Sequence, residues 1–214
     1  MSPFWCLSCA SAECTNDAHI QLSVGPGTVL VKGGVASDLF RRTDPTTLRQ
    51  LFRYAVEYAH TDMLLHLRLL QQETQGAGSE DSLVTSLYAA NACHEDGRVV
   101  EAARVLEGVA DGFYELSMPE KALDTLHLQG IVMMDLQSPR LAIPYLQKVC
   151  EARPAEENAI YCLARATLEE TAPSTRPEAA LAVDGIAFRY NLGSVVDEAI
   201  DDYFAVVAEP PAPS

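Results

Sequence analysis

The stretch that decides the fold is "LHLQGIVMMDLQSPRLAIPYLQKVCEARP", residues 126–154. Its apolar residues recur at three- and four-residue steps, which indicates two amphipathic helices. Gly130 interrupts the first apolar run, Ala142 follows twelve residues later in the second, and Pro154 ends the segment after another twelve. Small residues at facing positions allow two helices to approach each other closely. The segment therefore predicts a tightly packed helical hairpin.

Similar helix pairs recur along the chain. The spacings between early positions of successive second helices are 38, 40 and 37 residues, measured at Leu64, Ala102, Ala142 and Ala179. In the first helices, Leu126 and Gly130 match Ile160 and Ala164 after 34 residues. A period in this range is typical of stacked helical hairpins. The pattern predicts about nine helices between residues 37 and 208 and no strand after residue 36.

Residues 126–154 resemble a tetratricopeptide repeat. In that family, a small residue in each helix lies at the helix contact, and a proline closes the unit. Gly130, Ala142 and Pro154 match these positions, and large apolar residues fill the gaps at Leu126, Met133, Tyr145, Leu146 and Val149. The match covers residues 82–154 best and extends to about residue 190 through Ile160, Leu163, Ala164, Ala179 and Ala180. The turn at 171–177 is longer than in the family.

The resemblance implies an all-α fold, with antiparallel helix hairpins stacked as a short TPR-like α-solenoid over residues 37–208. A non-helical N-terminal arm over residues 1–36 and a tail over residues 209–214 flank it. The resemblance also implies a concave surface, lined by the first helices, that binds an extended peptide or a helix of another protein. Partner-facing candidates on the first helices are Tyr88, Asn91, Thr125, Gln129, Met133, Tyr161 and Arg165.

The candidate set has no lysine. The family's carboxylate clamp holds a terminal carboxylate with several lysines and asparagines, so a basic or apolar segment fits these candidates better. The closing helix at 194–208 carries an apolar side and an acidic side. It caps the stack, lies in the groove as an internal placeholder, or offers its apolar stripe to a partner.

Composition excludes several classes of partner. The chain has 214 residues, 48% of them hydrophobic and 21% charged, and a formal net charge of -15. A chain of this charge repels phosphates, which excludes nucleic acid and disfavours an anionic membrane surface. No apolar run is long enough to insert into a membrane. Scattered cysteines inside apolar helical patterns favour an intracellular, cytoplasmic location.

The N-terminal arm offers an alternative function. Cys6, Cys9, Cys14 and His19 follow the spacing C-x2-C-x4-C-x4-H, and three thiolates with one imidazole can complete a tetrahedral zinc site. A small zinc-binding or redox protein is therefore the alternative to an interaction module. Further along the arm, two β-leaning runs at 20–24 and 28–31 predict a hairpin, with a mobile arm as the other interpretation.

No enzyme motif is present in the sequence. The chain has neither a nucleophile elbow nor a P-loop. Cys93 and His94 are adjacent, so on a helix they diverge by about 100° and cannot form a nucleophile–base pair. We therefore expect a non-catalytic interaction module without a cofactor: an adaptor or scaffold subunit of a multiprotein complex, or a peptide-binding chaperone.

Two local predictions concern helix boundaries. The segment "RVVEAARVLEGVADGFYEL", residues 98–116, predicts one continuous helix. Ser117 and Glu120 have the spacing of a capping box at the start of the following helix.

Overall fold

The computed structural model describes residues 19–24, 27–32, 45–57 and 59–208. Strands β1 (His19–Val24) and β2 (Gly27–Lys32) pair antiparallel, and they coincide with the two β-leaning runs of the sequence. The proposed boundary near residue 36 and the tail at 209–214 lie outside the described residues.

From residue 45 onward, the described part of the chain is helical. Its ten helices are α1 (Pro45–Glu57), α2 (Thr61–Gln75), α3 (Glu80–Glu95), α4 (Val99–Leu106), α5 (Val109–Glu115), α6 (Pro119–Asp135), α7 (Pro139–Ala152), α8 (Glu157–Thr171), α9 (Arg176–Tyr190) and α10 (Gly193–Ala208). The body of the chain is thus all-α, as the periodicity predicts. Among these helices, none combines the length and hydropathy needed to cross a membrane.

The chain divides into two compact units, Met1–Thr85 and Ser86–Ser214. In the first unit α1 packs against α2 through aliphatic side chains at helical spacing, namely Leu48, Leu51, Ala55, Met63, Leu64, Leu67 and Leu70. Arg49 Nε donates to Asp81 Oδ2 at 3.2 Å.

In the second unit, each helix from α6 to α10 contacts the next, and α8 also contacts α6 and α10. The core-facing positions of α7 recur in α9 after 37 residues. They are Ala142, Leu146, Val149 and Cys150 in α7, and Ala179, Val183, Ile186 and Ala187 in α9. The sequence spacing of the second helices thus corresponds to a repeat-like arrangement of packed helices.

Gly130 brings α6 against α7, but its nearest side chain differs from the one the sequence predicts. A Cβ atom added at Gly130 would lie 2.5 Å from Cδ2 and 2.6 Å from Cγ of Leu146. Leu146 is one helical turn beyond Ala142, and both residues are fully buried. The close approach is therefore present, with Leu146 supplying the three atoms nearest to the glycine.

The single helix predicted over residues 98–116 is wrong. Helix α4 ends at Leu106 and α5 begins at Val109, because Gly108 adopts a left-handed conformation with φ 73°. The capping box at Ser117 is also absent. Ser117 itself has a positive φ of 59°, and Met118 is the N-cap of α6, without a side-chain cap.

The closing helix α10 packs its apolar side into the core of the second unit. Five residues of that side are buried, namely Val195, Val196, Ala199, Ile200 and Tyr203. Phe204 is half-buried and packs edge-on against Tyr203. Val207, near the end of α10, is apolar as well but 61% exposed, so the buried stripe ends before the helix does.

Two glycine substitutions test the close helix approach. Gly130→Ala forces a methyl group into the buried Leu146 side chain and should lower the free energy of unfolding by about 1–3 kcal/mol. Gly185→Ala in α9 meets no atom within 4 Å, so it should raise that free energy by about 0.5–1 kcal/mol through helix propensity. Urea unfolding at a few micromolar protein measures both. A Gly130→Ala variant as stable as Gly185→Ala would contradict the packing.

Candidate partner-binding surface

The candidate residues on α3 are accessible. Tyr88 and Asn91 are both exposed, and the Asn91 amide donates to Glu95 Oε1 at 2.8 Å. Next to them, His94 Nε2 lies 2.6 Å from Asp135 Oδ2 at the end of α6. This contact joins α3 to α6, and the two residues are 41 apart in sequence. Nothing in the sequence near His94 predicts its contact with Asp135.

The candidate residues on α6 are largely occupied by the protein itself. Thr125 is fully buried, and its hydroxyl donates to the Lys121 carbonyl, so it cannot line an open groove. Gln129 Nε2 donates to the Leu106 carbonyl at 3.2 Å. Met133 is half-buried and packs on the core. The sequence predicts these three residues to face a partner, but α6 is in contact with α4, α5, α7 and α8.

The candidate residues on α8 form a polar chain with α10. The Tyr161 hydroxyl donates to Asp202 Oδ2 at 2.6 Å, and it accepts a bond from Arg165 Nη1 at 3.3 Å. Arg165 Nη2 also donates to Glu169 Oε1 at 3.0 Å. Burial and the bond to Asp202 raise the pKa of Tyr161. Asp202 and Glu169, absent from the candidate set, therefore hold the orientation of both predicted residues.

Carboxylates determine the charge around the candidate residues on α3 and α8. Asn91 is bonded to Glu95, and the Arg165 charge is paired with Glu169. Burial alone would lower the pKa of Arg165, but its bonds to Tyr161 and Glu169 outweigh burial and raise it. The one cation of the candidate set is thus neutralised within the chain, and the surrounding charge is acidic.

A second polar cluster joins α6 to the turn between α7 and α8. The Arg153 guanidinium donates to Glu120 at 2.7 Å and to Asp124 at 2.8 Å, both on α6. It also donates to Glu156 at 3.2 Å. Burial would lower the pKa of Arg153, but these bonds outweigh burial and raise it. Charge-assisted bonds to three carboxylates brace the turn against α6.

His127 lies beside this cluster, with its Nδ1 3.3 Å from Glu156 Oε1. Its side chain is 13% exposed, and its Nε2 is buried without a hydrogen-bond partner. Burial lowers the pKa of His127, although the carboxylates of Glu156 and Asp124 act in the opposite direction. Protonation would add a buried N–H at Nε2 with no acceptor, which supports the neutral form.

The proposed zinc ligands cannot be placed. Cys6, Cys9 and Cys14 lie outside the described residues, and His19 is in β1 with its side chain undescribed. Within the described residues, no group of three His, Cys, Asp or Glu side chains is arranged to hold a metal ion.

Two cysteines of the second unit have raised pKa values. Burial raises the pKa of Cys150 to about 12 and that of Cys162 to about 11. Both side chains are therefore thiols at neutral pH, and a thiol is a poor nucleophile compared with the thiolate.

Comparison with protein-family models, with curated proteins and with solved structures finds no match for this chain. The likeness to tetratricopeptide repeats rests on the residues of this chain. The geometry supports the coarser description: a helical body whose neighbouring helices pack in a repeat-like arrangement.

The contact between α8 and α10 can be tested with Tyr161→Phe. Loss of the bond to Asp202 should lower the free energy of unfolding by about 0.5–1.5 kcal/mol. Tyr114→Phe makes the same change on an exposed tyrosine of α5 and should leave stability unaltered. Equal stabilities of the two variants in urea unfolding would contradict the assigned bond.

The environment of His127 predicts a pH effect. Its folded-state pKa lies below 6.5, so the unfolded chain takes up the proton first as the pH falls. Stability contributed by neutral His127 is complete above pH 6.5 and decreases below it, by at most about 1.4 kcal/mol per pH unit. An NMR titration of the ring should give a midpoint under 6.5. A midpoint above 6.5 would show that the Glu156 contact outweighs burial.

Proposed function

We propose that this chain is a non-catalytic protein-interaction module, acting as an adaptor or scaffold subunit or as a peptide-binding chaperone. In this proposal the repeat-like body is a short TPR-like α-solenoid, and a partner binds along its first helices α3, α6 and α8. The partner is an extended peptide or a helix of another protein.

The observation that carries the proposal is the linkage of the first helices to one another and to the closing helix α10. His94 of α3 contacts Asp135 of α6, and Tyr161 of α8 contacts Asp202 of α10. Helix α8 packs against both α6 and α10. A row of first helices held together in this way is what a solenoid uses to present a continuous binding surface.

The charge of this surface favours a basic segment. Glu95, Glu169 and Asp202 each bond to a candidate residue, and Asp135 contacts His94 on α3. The Arg165 charge is already paired with Glu169. With Thr125 buried, the accessible contacts that remain are centred on α3. We therefore place the centre of the binding surface at Tyr88 and Asn91.

Helix α10 acts as the closing helix of the stack in this proposal. Its buried stripe covers the end of the core, and its Asp202 accepts the Tyr161 hydroxyl that a partner would otherwise contact. The groove is thus closed at α8 and open toward α3. A partner that extended over α8 would have to displace this bond.

Site-specific photo-crosslinking tests the proposed surface. A photoreactive phenylalanine analogue replaces Tyr88 on α3 or, as the control, Leu141 on α7, which is 57% exposed. After irradiation in the native cell, the analogue at position 88 should capture a defined partner segment, and the one at position 141 should not. Equal capture at both positions, or none at position 88, would contradict the proposal.

The captured segment can then be synthesised and its affinity measured by fluorescence anisotropy. A basic segment should bind more weakly as salt is raised. Tyr88→Ala combined with Asn91→Ala should weaken binding by about tenfold or more. Leu141→Ala should not.

A further inference from the structure

Helix α9 carries an apolar stripe on the side opposite the core. Leu181 is 78% exposed and Phe188 is 89% exposed, and they lie seven residues apart, almost two helical turns. Gly185 lies between them, and a Cβ atom added there would meet no atom within 4 Å. The buried residues Ala179 and Val183 lie on the other side of the helix. The stripe therefore plays no part in the core of the second unit.

The equivalent helix α7 shows that this stripe is specific to α9. The 37-residue shift that superimposes the core positions of the two helices also pairs their outer positions. In α7 those positions carry Pro144, Lys148 and Glu151, all exposed, and in α9 they carry Leu181, Gly185 and Phe188. The exposed proline, lysine and glutamate of α7 are thus replaced in α9 by leucine, glycine and phenylalanine. Exposure to solvent favours polar side chains at such positions, so it does not explain the leucine and phenylalanine of α9.

We propose that α9 packs antiparallel against α9 of a second copy of this chain. A two-fold axis near Gly185 brings Leu181 of one copy opposite Phe188 of the other, twice. The missing side chain at Gly185 lets the two helices approach closely where they cross. This inference does not depend on the proposed function.

The charges of α9 fit a second copy better than a strongly charged partner. The chain as a whole has a net charge of -15, but this helix is balanced, with charged residues Arg176, Glu178, Asp184 and Arg189. Glu178 and Arg189 lie on the same flank of the stripe. In an antiparallel two-fold pair like flanks meet, so Arg189 of one copy lies opposite the partner's Glu178.

Asp184 lies on the other flank, close to the axis, where it approaches the partner's Asp184. This repulsion weakens the pair. In the single chain, the Arg189 guanidinium is 3.8 Å from Glu151 and both side chains are 63% exposed, which leaves Arg189 accessible to a partner.

The size of the stripe sets the strength of the association. Leu181 and Phe188 together present on the order of 300 Å² of apolar surface, so a pair of helices buries about 600 Å² through these side chains, well under the roughly 1,200 Å² of a stable interface. The two acidic chains also repel each other, and salt screens charges beyond about 8 Å. We therefore expect a weak, reversible dimer that tightens as salt is raised. Binding of a basic partner would show the opposite salt dependence.

Sedimentation equilibrium of the full chain from about 5 to 500 µM tests the proposal. The wild type should show a monomer–dimer equilibrium that is tighter at 300 mM than at 50 mM salt. Phe188→Glu should weaken it by about tenfold or more. Leu141→Glu, the same charge change on an exposed leucine of α7, should leave the dissociation constant within about twofold. A chain that stays monomeric at every concentration assigns the stripe to a different protein and overturns the proposal.

Charge variants test the orientation of the pair. Arg189→Glu should weaken the dimer, and Asp184→Asn should tighten it by about two- to fivefold, because it removes the repulsion at the axis. Gly185→Ala should weaken the dimer while making the monomer more stable. A dimer that responds equally to Phe188→Glu and Leu141→Glu would overturn the assignment of the interface to α9, and one that Asp184→Asn weakens would overturn the antiparallel arrangement.

Discussion

The structure of the second unit depends on the missing side chain at Gly130. Without a Cβ at this position, Leu146 of α7 occupies the space beside the α6 backbone. Large aliphatic side chains fill a core efficiently only when the helices that carry them are close together. Ala142 and Val149 are also buried on α7, so the packing of α7 in the core extends to either side of this contact.

Polar contacts arrange the helices that this apolar packing brings together. His94 with Asp135, Tyr161 with Asp202, and Arg153 with Glu120 each join elements that are not adjacent in the chain. The chain has 30 acidic residues against 15 lysines and arginines, so carboxylates are in excess over cations. The same excess leaves the side of the first helices acidic. Packing and charge therefore act on one surface, and that surface is the one proposed to bind a partner.

The sequence predicts the helical body well because periodicity and small residues act locally. It fails at Gly108, because a glycine inside an apolar period is compatible both with a helix and with a left-handed break. It places Thr125 on the surface, because one helix alone does not show which sides its neighbours cover. Asp135 and Asp202 are missed for the same reason, since each lies 41 residues from its partner. Residues 1–18, where three of the possible zinc ligands lie, are outside the described residues.

A double-mutant cycle between Gly130 and Leu146 tests the central contact most directly. Leu146→Ala removes the atoms that a methyl group at position 130 would meet, so Gly130→Ala should become neutral or stabilising in that background. The coupling free energy from urea unfolding should exceed about 1 kcal/mol. If Gly130→Ala lowers stability equally with Leu146 present and absent, the two residues do not share that space. The close approach of α6 and α7 would then be contradicted.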